Sequence, residues 1–465
     1  MEGGQVVRRR RGRLVLLAGA LLLPGWAAAQ QPLFPPTLLV PNSNRVFPGL
    51  DESIEAGAAL VRSGTPPALW YNPAGLVLST RTTVNASVQG YQLTFLQSSG
   101  VLNGGTQQSN LSALPNFVGI VLGEEAIPLK NVRFGFGVST PVAWNQGVNI
   151  GAPLSNSTSV YYSVNSSFTQ YQPDAAVAYA VNEQLRLGFE LSIPYTQLNN
   201  TGQLSASFNP ASSLTNSVRT VAFYGYNFHL VPTVSFQWDA LSWLGVGAVL
   251  QPPAVRLLSG GNLTVQGVDS QTVTGPSSTR QLSFRDTGAT FNYVIPGEIS
   301  AGLAFKISPV ELELDVHWFI STGPYTLVNS SLPVTVVNAV NGIPPQKVVS
   351  PFPSQTWGTR NVVDLNVGGS VKLSKLISIL AGFYSSLAPG NVQSNVFQSV
   401  TFYGVRGGIS FNSPHLSGSV GLGYEWGNGV VPLQVAPPAG GAPINLSQPL
   451  TLQTLSLLFA LAYVF

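Results

Sequence analysis

Aspartate, glutamate and histidine are the side chains of this sequence that could carry acid–base or metal chemistry, because the chain has no cysteine. The three histidines, His229, His317 and His415, are far apart, and none is spaced for a metal-binding pair. The sequence also has no Gly-x-Ser-x-Gly turn and no glycine-rich phosphate loop. It therefore does not predict an enzyme, a catalytic residue, a metal site or a cofactor.

An alternating acidic row is the nearest approach to a functional constellation. Ionisable residues occupy every second position in Glu311, Glu313, Asp315 and His317, with apolar residues between them. This spacing puts the four groups on one face of a β-strand, and no helix fits it. The row could hold an Asp315–His317 acid–base pair, steer cations, bind a ligand head group, or be the ordinary polar lining of a barrel lumen.

The composition indicates which elements must position these residues. Only 8% of the chain is charged and 44% is hydrophobic, whereas a soluble domain is about 25% charged. The longest apolar run after the N-terminus is Leu457 to Phe465, too short for the ~20 residues of a membrane-spanning helix. A sheet closed on itself also satisfies its backbone in lipid. The fold prediction is therefore all-β, a transmembrane antiparallel β-barrel.

The N-terminus has the layout of a secretory signal peptide. The cluster Arg8–Arg11 and Arg13 precedes an apolar run from Leu14 to Leu23 and the small residues Ala27-Ala28-Ala29. The run is short for a retained signal anchor, so we expect residues 1–29 to be removed. The formal charge then changes from +3 to −1, and no nucleic-acid partner is expected. Export favours the bacterial cell outer membrane.

Period-two alternation recurs along the chain, for example in 185–193, 363–373 and 416–426. We count about fifteen candidate strands, and because bacterial barrels have an even number, about fourteen or sixteen are expected. Asn182-Glu183, Ser308-Pro309 and Ser413-Pro414 are predicted periplasmic turns. The polar stretches 99–112, 143–165, 322–360 and 428–450 are predicted extracellular loops.

The last strand places an apolar and aromatic row on one face, ending in Tyr463 and Phe465. It resembles the terminal signal read by the outer-membrane barrel assembly machinery, which is therefore an expected partner. The last strand of a soluble sandwich is the alternative, although an untethered chain end has no reason to be this aromatic.

Residues 30–78 do not alternate and are rich in proline and small residues. Glu52 to Val61 is predicted as a short helix. The predicted organisation is a signal peptide (1–29), an N-terminal hatch or plug inside the lumen (30–78) and a transmembrane β-barrel (79–465).

Three motifs in this N-terminal segment carry a family resemblance. Gly49-Leu50, Gly57-Ala58-Ala59 and the stretch 70–76, which contains Asn72-Pro73-Ala74-Gly75, resemble the hatch of the FadL-like outer-membrane transporters of long-chain fatty acids and aromatic hydrocarbons. The resemblance continues through 134–138 and Pro141, through 173–198, and through 295–298 to Asp315 and Trp318. One departure is Thr65-Pro66-Pro67, where an acidic residue is expected; this puts a hatch salt bridge there in doubt.

The resemblance implies a fourteen-stranded barrel plugged by the hatch, with ligands entering from outside and leaving sideways into the membrane. Asn72, Pro73, Ala74 and Gly75 would form the ligand gate, although Asn-Pro is also a simple turn initiator. Gly135, Gly137 and Pro141 are candidates for the lateral exit, because glycine and proline weaken strand pairing. Small residues that make room for the plug are the alternative.

The resulting hypothesis is an outer-membrane channel for passive uptake of hydrophobic small molecules, long-chain fatty acids or hydrocarbons, with lateral release. Its expected partners are the hydrophobic ligand, outer-membrane lipid and lipopolysaccharide, and the protein is expected to be a monomer. A general or substrate-selective diffusion porin for polar solutes is the alternative, and it predicts a wide, charged, open lumen. A secreted adhesin would leave the apolar stripes unexplained.

Overall fold

Fourteen antiparallel strands form a closed barrel in the computed structural model, which describes residues 38–39, 42–98, 108–155, 158–208, 213–273, 277–352, 354–390, 397–435 and 444–465. The sheet closes because its first strand, Thr83–Ser98, pairs along its length with its last, Ile444–Val464. This confirms the predicted barrel of about fourteen strands. The predicted signal peptide lies outside the described residues, as does most of 30–41.

Nine of the strands are continuous: β1 Thr83–Ser98, β2 Gln108–Leu122, β3 Val132–Ser155, β4 Thr158–Ala180, β6 Ser213–Leu241, β11 Ile377–Ser386, β12 Phe397–Asn412, β13 Leu416–Val435 and β14 Ile444–Val464. Five consist of two segments: β5 Leu185–Ser192 and Tyr195–Phe208, β7 Leu244–Gln251 and Val255–Val273, β8 Ser278–Phe291 and Glu298–Ile307, β9 Val310–Phe319 and Gly323–Asn329, and β10 Gln355–Thr359 and Val362–Lys372.

Two further strands, Val334–Val340 and Ile343–Ser350, form a hairpin between β9 and β10 that we call the outer hairpin. Its first strand pairs with the start of β8, with Ser278 opposite Val340. A short strand, Leu38–Leu39, pairs in parallel with the start of β12.

The two faces of the wall differ as the alternation predicts. On β9, Leu312, Leu314 and Trp318 point outward and are 51%, 37% and 42% exposed, whereas Glu313 and Asp315 point inward and are buried. Tyr463 and Phe465 of the C-terminal row are likewise exposed. A continuous outward apolar surface of this kind suits lipid rather than water.

The three short predicted turns connect β4 to β5, β8 to β9 and β12 to β13, at one end of the barrel. The prediction of a long loop over 143–165 is wrong, because β3 continues to Ser155 and β4 begins at Thr158. The predicted loop 322–360 also contains strands, including the outer hairpin. Serine, asparagine and glycine dominate 143–165, so this part of the wall lacks the lipid-facing apolar stripe on which the strand prediction relied.

The described part of the predicted hatch, residues 42–78, is packed against the inner face of the barrel wall. The predicted helix over Glu52 to Val61 is wrong: these residues form turns, and Ala56 and Gly57 have φ angles of +56° and +79°. The left-handed backbone at these two residues interrupts a helix. The helical elements that do form here are α1, Ala68–Tyr71, and a 3₁₀ helix, Pro73–Leu78. Among the described residues, no helix is long and apolar enough to cross a bilayer.

Candidate functional site

The acidic row on β9 binds the backbone of the hatch. The Asp315 carboxylate accepts hydrogen bonds from the N–H groups of Ala59 (2.8 Å) and Leu60 (3.1 Å). The next carboxylate toward the turn, Glu313, accepts from the N–H of Val61 at 2.6 Å. Three consecutive N–H groups of an irregular segment are thus satisfied by barrel side chains, as buried backbone donors require. This anchoring role was not among the sequence interpretations of the row.

A buried charge cluster reinforces this anchor. Arg62 donates from Nε to Glu313 Oε2 at 2.8 Å and forms an ion pair with Glu55 within the hatch. Burial raises the pKa of Glu55 to about 8, although the neighbouring Arg62 acts in the opposite direction. Glu311, the member of the row nearest the Ser308-Pro309 turn, pairs with Lys372 and is partly exposed. The hatch ion pair therefore lies at Arg62, before Thr65-Pro66-Pro67.

His317 extends the row toward the start of the hatch. Its Nδ1 lies 2.9 Å from both Ser300 Oγ and Glu298 Oε1, and its Nε2 lies 3.3 Å from the Asn366 side chain. Asn366 in turn accepts a hydrogen bond from Asn44 Nδ2 at 2.7 Å. Asp315 and His317 thus face different partners, and the acid–base pair considered from the sequence is not formed.

The Asn72-Pro73-Ala74-Gly75 stretch of the hatch bonds both to the rest of the hatch and to the barrel wall. Asn72 Nδ2 donates to the carbonyl oxygens of Leu60 (2.8 Å) and Phe236 (2.9 Å), and Asn72 Oδ1 accepts from the Ala74 N–H at 3.1 Å. Asn72 thereby caps the 3₁₀ helix that begins at Pro73. A Cβ on Gly75 would lie 2.0 Å from the Ser63 carbonyl oxygen. Through these contacts the stretch attaches the hatch to the barrel wall.

Inward-facing glycines allow the hatch to pack closely against the barrel wall. A Cβ on Gly135 would lie 3.0 Å from Leu69 and Leu76, and one on Gly137 would lie 2.9 Å from Leu69. These two predicted exit residues therefore pack against the hatch. The same close approach to hatch atoms occurs at Gly188, Gly247, Gly302, Gly368, Gly382 and Gly421. At Gly135 and Gly137 the contacts match the alternative stated from the sequence, small residues that make room for the plug. The other glycines of this ring were not singled out there, although their inward positions on alternating strands were visible in the sequence.

The wall changes at a β-bulge in β3, and a bulged strand bends at this point. β2 and β3 pair from Leu122 opposite Phe134 to Phe117 opposite Ser139. Beyond this pair, the described residues of β2 and β3 no longer pair with each other. β3 continues to pair with β4, and β2 continues to pair with β1. Thr140 and Pro141 form a bulge between the Ser139–Gln172 and Val142–Gln170 pairs. Among the described residues, a gap in strand pairing therefore opens beside Pro141.

A cavity of about 340 Å³ adjoins this bend. Its lining includes the β3 residues from Pro141 to Asn145, among them Val142 and Trp144. The other lining residues come from the hatch, β1, β4 and β11–β14, and many are polar or aromatic, including Arg45, Gln89, Tyr384, Arg406, Glu425, Thr454 and Ser456. The cavity is thus amphipathic, and part of its apolar lining belongs to the strand that has lost its neighbour.

Arg45 of the hatch lines the cavity and contacts residues of three barrel strands. Its guanidinium lies 3.9 Å from the Phe402 ring centroid and 4.7 Å from that of Trp144, and its Nε donates to Glu425 Oε2 at 3.0 Å. Tyr384 also donates to Glu425 Oε2, at 2.6 Å. Cation–π contacts of this kind contribute about 0.5–2 kcal/mol. Arg45 therefore links the hatch to the free part of β3.

An apolar cluster fills part of the barrel on the side of the long loops. Val142 and Trp144 pack against it, so it meets the cavity. Its members extend to the outer hairpin and include Phe168, Leu198, Phe223, Phe284, Phe291, Val334, Val336 and Phe352. A packed apolar core inside the barrel is unlike the polar lining of a porin.

The comparisons with known proteins agree with this architecture. No protein-family model and no curated protein matches the sequence. Among solved structures, a Pseudomonas aeruginosa FadL homologue is similar with a TM-score of 0.58 at 14% identity, covering 92% of this chain and 100% of that one.

Two transporter structures are also similar. The P. putida toluene transporter TodX gives a TM-score of 0.55 at 12% identity, over 90% of this chain and 99% of that one. The Ralstonia pickettii toluene transporter TbuX gives 0.50 at 14% identity, over 91% and 99%. At these identities the likeness shows the fold: a fourteen-stranded barrel of the FadL type.

Proposed function

We propose that this protein is an outer-membrane channel for passive uptake of hydrophobic small molecules, long-chain fatty acids or hydrocarbons, which leave sideways between β2 and β3. The observation that carries the proposal is the cavity at Pro141–Asn145, which lies where the two strands stop pairing. The shared fold with a FadL homologue and with toluene transporters supports the ligand class.

An apolar molecule gains little from an aqueous pore, and the polar lipopolysaccharide layer blocks its direct entry into the bilayer. The apolar cluster extends from the outer hairpin to Trp144, and the cavity adjoins it. A gap in the wall then gives direct access to lipid. Release is favourable because apolar surface leaves water for hydrocarbon.

In this proposal residues 30–78 act as the hatch that blocks the straight path through the barrel. The buried contacts of Asp315, Glu313 and Asn72 with the hatch support this role. They also count against the diffusion porin, which needs an open lumen. We propose insertion by the barrel assembly machinery, contact with outer-membrane lipid and lipopolysaccharide, and function as a monomer.

A deletion in the bulge tests the lateral exit. Removing Pro141 leaves Thr140 as the one residue between Ser139 and Val142, which restores regular pairing with β4 and keeps the inward face of Val142. β3 can then continue along β2 and narrow the gap. Pro141→Ala keeps the residue count and the bulge, and is the matched control.

Uptake of radiolabelled oleate and of toluene would be measured in a Gram-negative host that lacks its own hydrophobic channels. We expect the deletion variant to lower uptake toward the level of the host without the protein, and Pro141→Ala to retain most of it. Equal uptake by both variants and the wild type would contradict exit between β2 and β3. No uptake by the wild type of either compound would contradict the channel itself.

A further inference from the structure

A second interruption of the wall lies between β7 and β8, apart from the proposed exit. Regular pairing of these strands ends at Gln251 opposite Glu298 and resumes at Gly261 opposite Ala289. Between the two pairs, a single backbone hydrogen bond among the described residues joins the strands, at 3.2 Å. The β7 side begins with two prolines, which cannot donate to the ladder. The residues without strand partners are 252–260 and 290–297, which we call the β7–β8 groove.

The interruption is a groove on the outer face and not a passage. Phe291 and Tyr293, which are buried members of the apolar cluster, close it from inside. On β7, Leu257 is an extra residue at a bulge, and all of 255–258 are exposed, whereas a regular wall strand covers every second residue. The three apolar residues of this run are 59%, 50% and 64% exposed. Both faces of the strand are therefore accessible here.

The outward residues of β6, the neighbouring strand, show how high the groove lies. Every second residue from Tyr224 to Trp238 is apolar or aromatic. At ~3.3 Å per residue and a tilt of ~40°, Tyr226 and Trp238 are about 30 Å apart along the barrel axis, close to the height of a lipid-facing band between its two aromatic girdles. Gly260 is opposite Tyr226. The groove thus begins at the girdle farther from the short turns and extends into the lipid-facing band.

Polar side chains lie across this groove. Arg256 and Ser259 of β7 both donate to Asn292 Oδ1 on β8, at 2.5 and 3.4 Å. Arg256 is exposed, and no carboxylate of the described chain forms an ion pair with it. Arg285 on β8 is exposed as well, but it lies in regular pairing, opposite Thr264. Arg256 differs by its position beside free backbone groups and exposed apolar side chains.

The level of the groove determines what can occupy it. Backbone groups that face hydrocarbon without a partner are not tolerated in a membrane protein. The groove therefore requires a polar partner at the level of the lipid head groups. Arginine and backbone N–H groups are strong donors to phosphate oxygens, and the adjoining apolar side chains suit acyl chains. A phosphorylated lipid of the outer leaflet supplies both parts.

We propose that the β7–β8 groove binds one lipid A anchor of lipopolysaccharide, with a phosphate on Arg256 and an acyl chain along Val255, Leu257 and Leu258. The inference rests on the proposed function, which places this end of the barrel in the outer leaflet. The phosphate accepts from the backbone N–H groups that β8 leaves free. Bound lipid A thereby seals the interrupted wall.

The test uses the full-length protein, refolded and purified in detergent, with lipid A as the probe. Native mass spectrometry counts the bound lipid, and a titration measures its affinity. We expect one bound lipid A per barrel, and binding about tenfold weaker for lipid A without its phosphates. Arg256→Gln should weaken lipid A binding about tenfold, and Arg256→Lys should restore part of it. Arg285→Gln is the matched control and should bind as the wild type does.

Amide hydrogen exchange on the wild type keeps the proposal falsifiable if a variant fails to fold. Lipid A should slow exchange within 252–260 and 290–297. Protection confined to other segments, or equal affinity for lipid A with and without phosphates, would overturn the site. Equal weakening by Arg256→Gln and Arg285→Gln would show a general attraction to surface charge and would also overturn it. Protection of the groove by oleate and not by lipid A would assign it to the transported ligand instead.

These measurements need no transport, so the groove and the channel are tested separately. A wild type that binds lipid A as expected and takes up neither oleate nor toluene supports the groove and contradicts only the channel. A wild type that takes up either compound and binds no lipid A contradicts only the groove.

Discussion

Arg62 of the hatch donates a hydrogen bond from Nε to Oε2 of Glu313 on β9 over 2.8 Å. The side chains are 10% and 0% exposed, so the pair is shielded from solvent and joins the hatch to the wall. Removing one partner of a buried ion pair costs about 3–5 kcal/mol, because the other charge remains buried and unpaired. The pair should therefore control how firmly the hatch is docked.

The first prediction is that Glu313→Gln loosens the hatch. Arg62 loses a charged partner at the wall while Glu55 remains within the hatch. We expect the ion conductance of single proteins in planar bilayers to increase, toward that of a variant lacking residues 30–78. Glu311→Gln is the control, because Glu311 is 27% exposed and lies 3.9 Å from Arg62. Low conductance in both the Glu313→Gln variant and the hatch-deleted protein would show that residues 30–78 do not plug the lumen.

The sequence could predict that Glu313 and Asp315 face inward, because period-two alternation fixes the face of each residue on a strand. It could not predict their partners. Residues 52–62 show no regular pattern, and their folded path depends on the left-handed Ala56 and Gly57 and on barrel residues some 250 positions away in sequence, such as Glu313 at 252 from Val61. Long-range contacts of an irregular segment leave no periodic trace in the chain.

The second prediction concerns pH. Burial, together with the nearby Asp51, raises the pKa of Glu52 from its ordinary value of 4.5 to about 7. Between these two pH values, Glu52 therefore keeps its proton while the hatch is packed and loses it when the hatch is displaced into solvent. This contribution to hatch stability is complete below pH about 4.5 and is lost as the pH rises through about 7.

Bilayer conductance should accordingly be lowest near pH 5 and increase toward pH 8. Glu52→Gln, which cannot ionise, should give a flatter profile over the same range. An identical pH profile in wild type and variant would assign the dependence to other groups.

The third prediction uses the glycine ring. A Cβ on Gly382 would lie 2.3 Å from the carbonyl carbon of Glu55 and 2.7 Å from the Ala56 nitrogen, both backbone atoms that cannot rotate away. Gly382→Ala should displace this part of the hatch, at a cost of about 1–3 kcal/mol. We expect faster protease cleavage within 42–78 and a lower melting temperature. Gly407→Ala is the control on the next strand, since its Cβ meets only the Leu380 oxygen at 3.8 Å. Equal protease resistance in the two variants would contradict the packing role.

Around the bend in β3, the sequence motifs indicated the end of strand pairing correctly at one position only. Proline at position 141 indicated a weak point in the ladder, and the structure has the end of β2–β3 pairing beside it. The same argument chose Gly135 and Gly137, which instead lie in paired strand opposite Leu69 and Leu76. A glycine can mark either lost pairing or a close approach. Deciding between these needs the position of the hatch, which the sequence does not supply.

The last prediction concerns ligand binding at Trp144. Its ring lies between the apolar cluster and the cavity, with the Arg45 guanidinium 4.7 Å from its centroid. A hydrophobic ligand in the cavity should contact this ring, so brominated fatty acids or bromobenzene should quench its fluorescence. Trp144→Ala removes the aromatic surface and should weaken binding about tenfold, which corresponds to roughly 1.4 kcal/mol.

Trp238, 45% exposed on the outer face of β6, provides the control variant Trp238→Ala. If Trp144 forms the binding surface, the Trp144→Ala variant loses affinity and most of the ligand-dependent quenching, while the Trp238→Ala variant keeps both. Quenching that persists in the Trp144→Ala variant and disappears in the Trp238→Ala variant would place the ligand in the surrounding detergent or lipid. That result would remove the cavity from the proposed path, because partition into the outer surface needs no passage through the barrel.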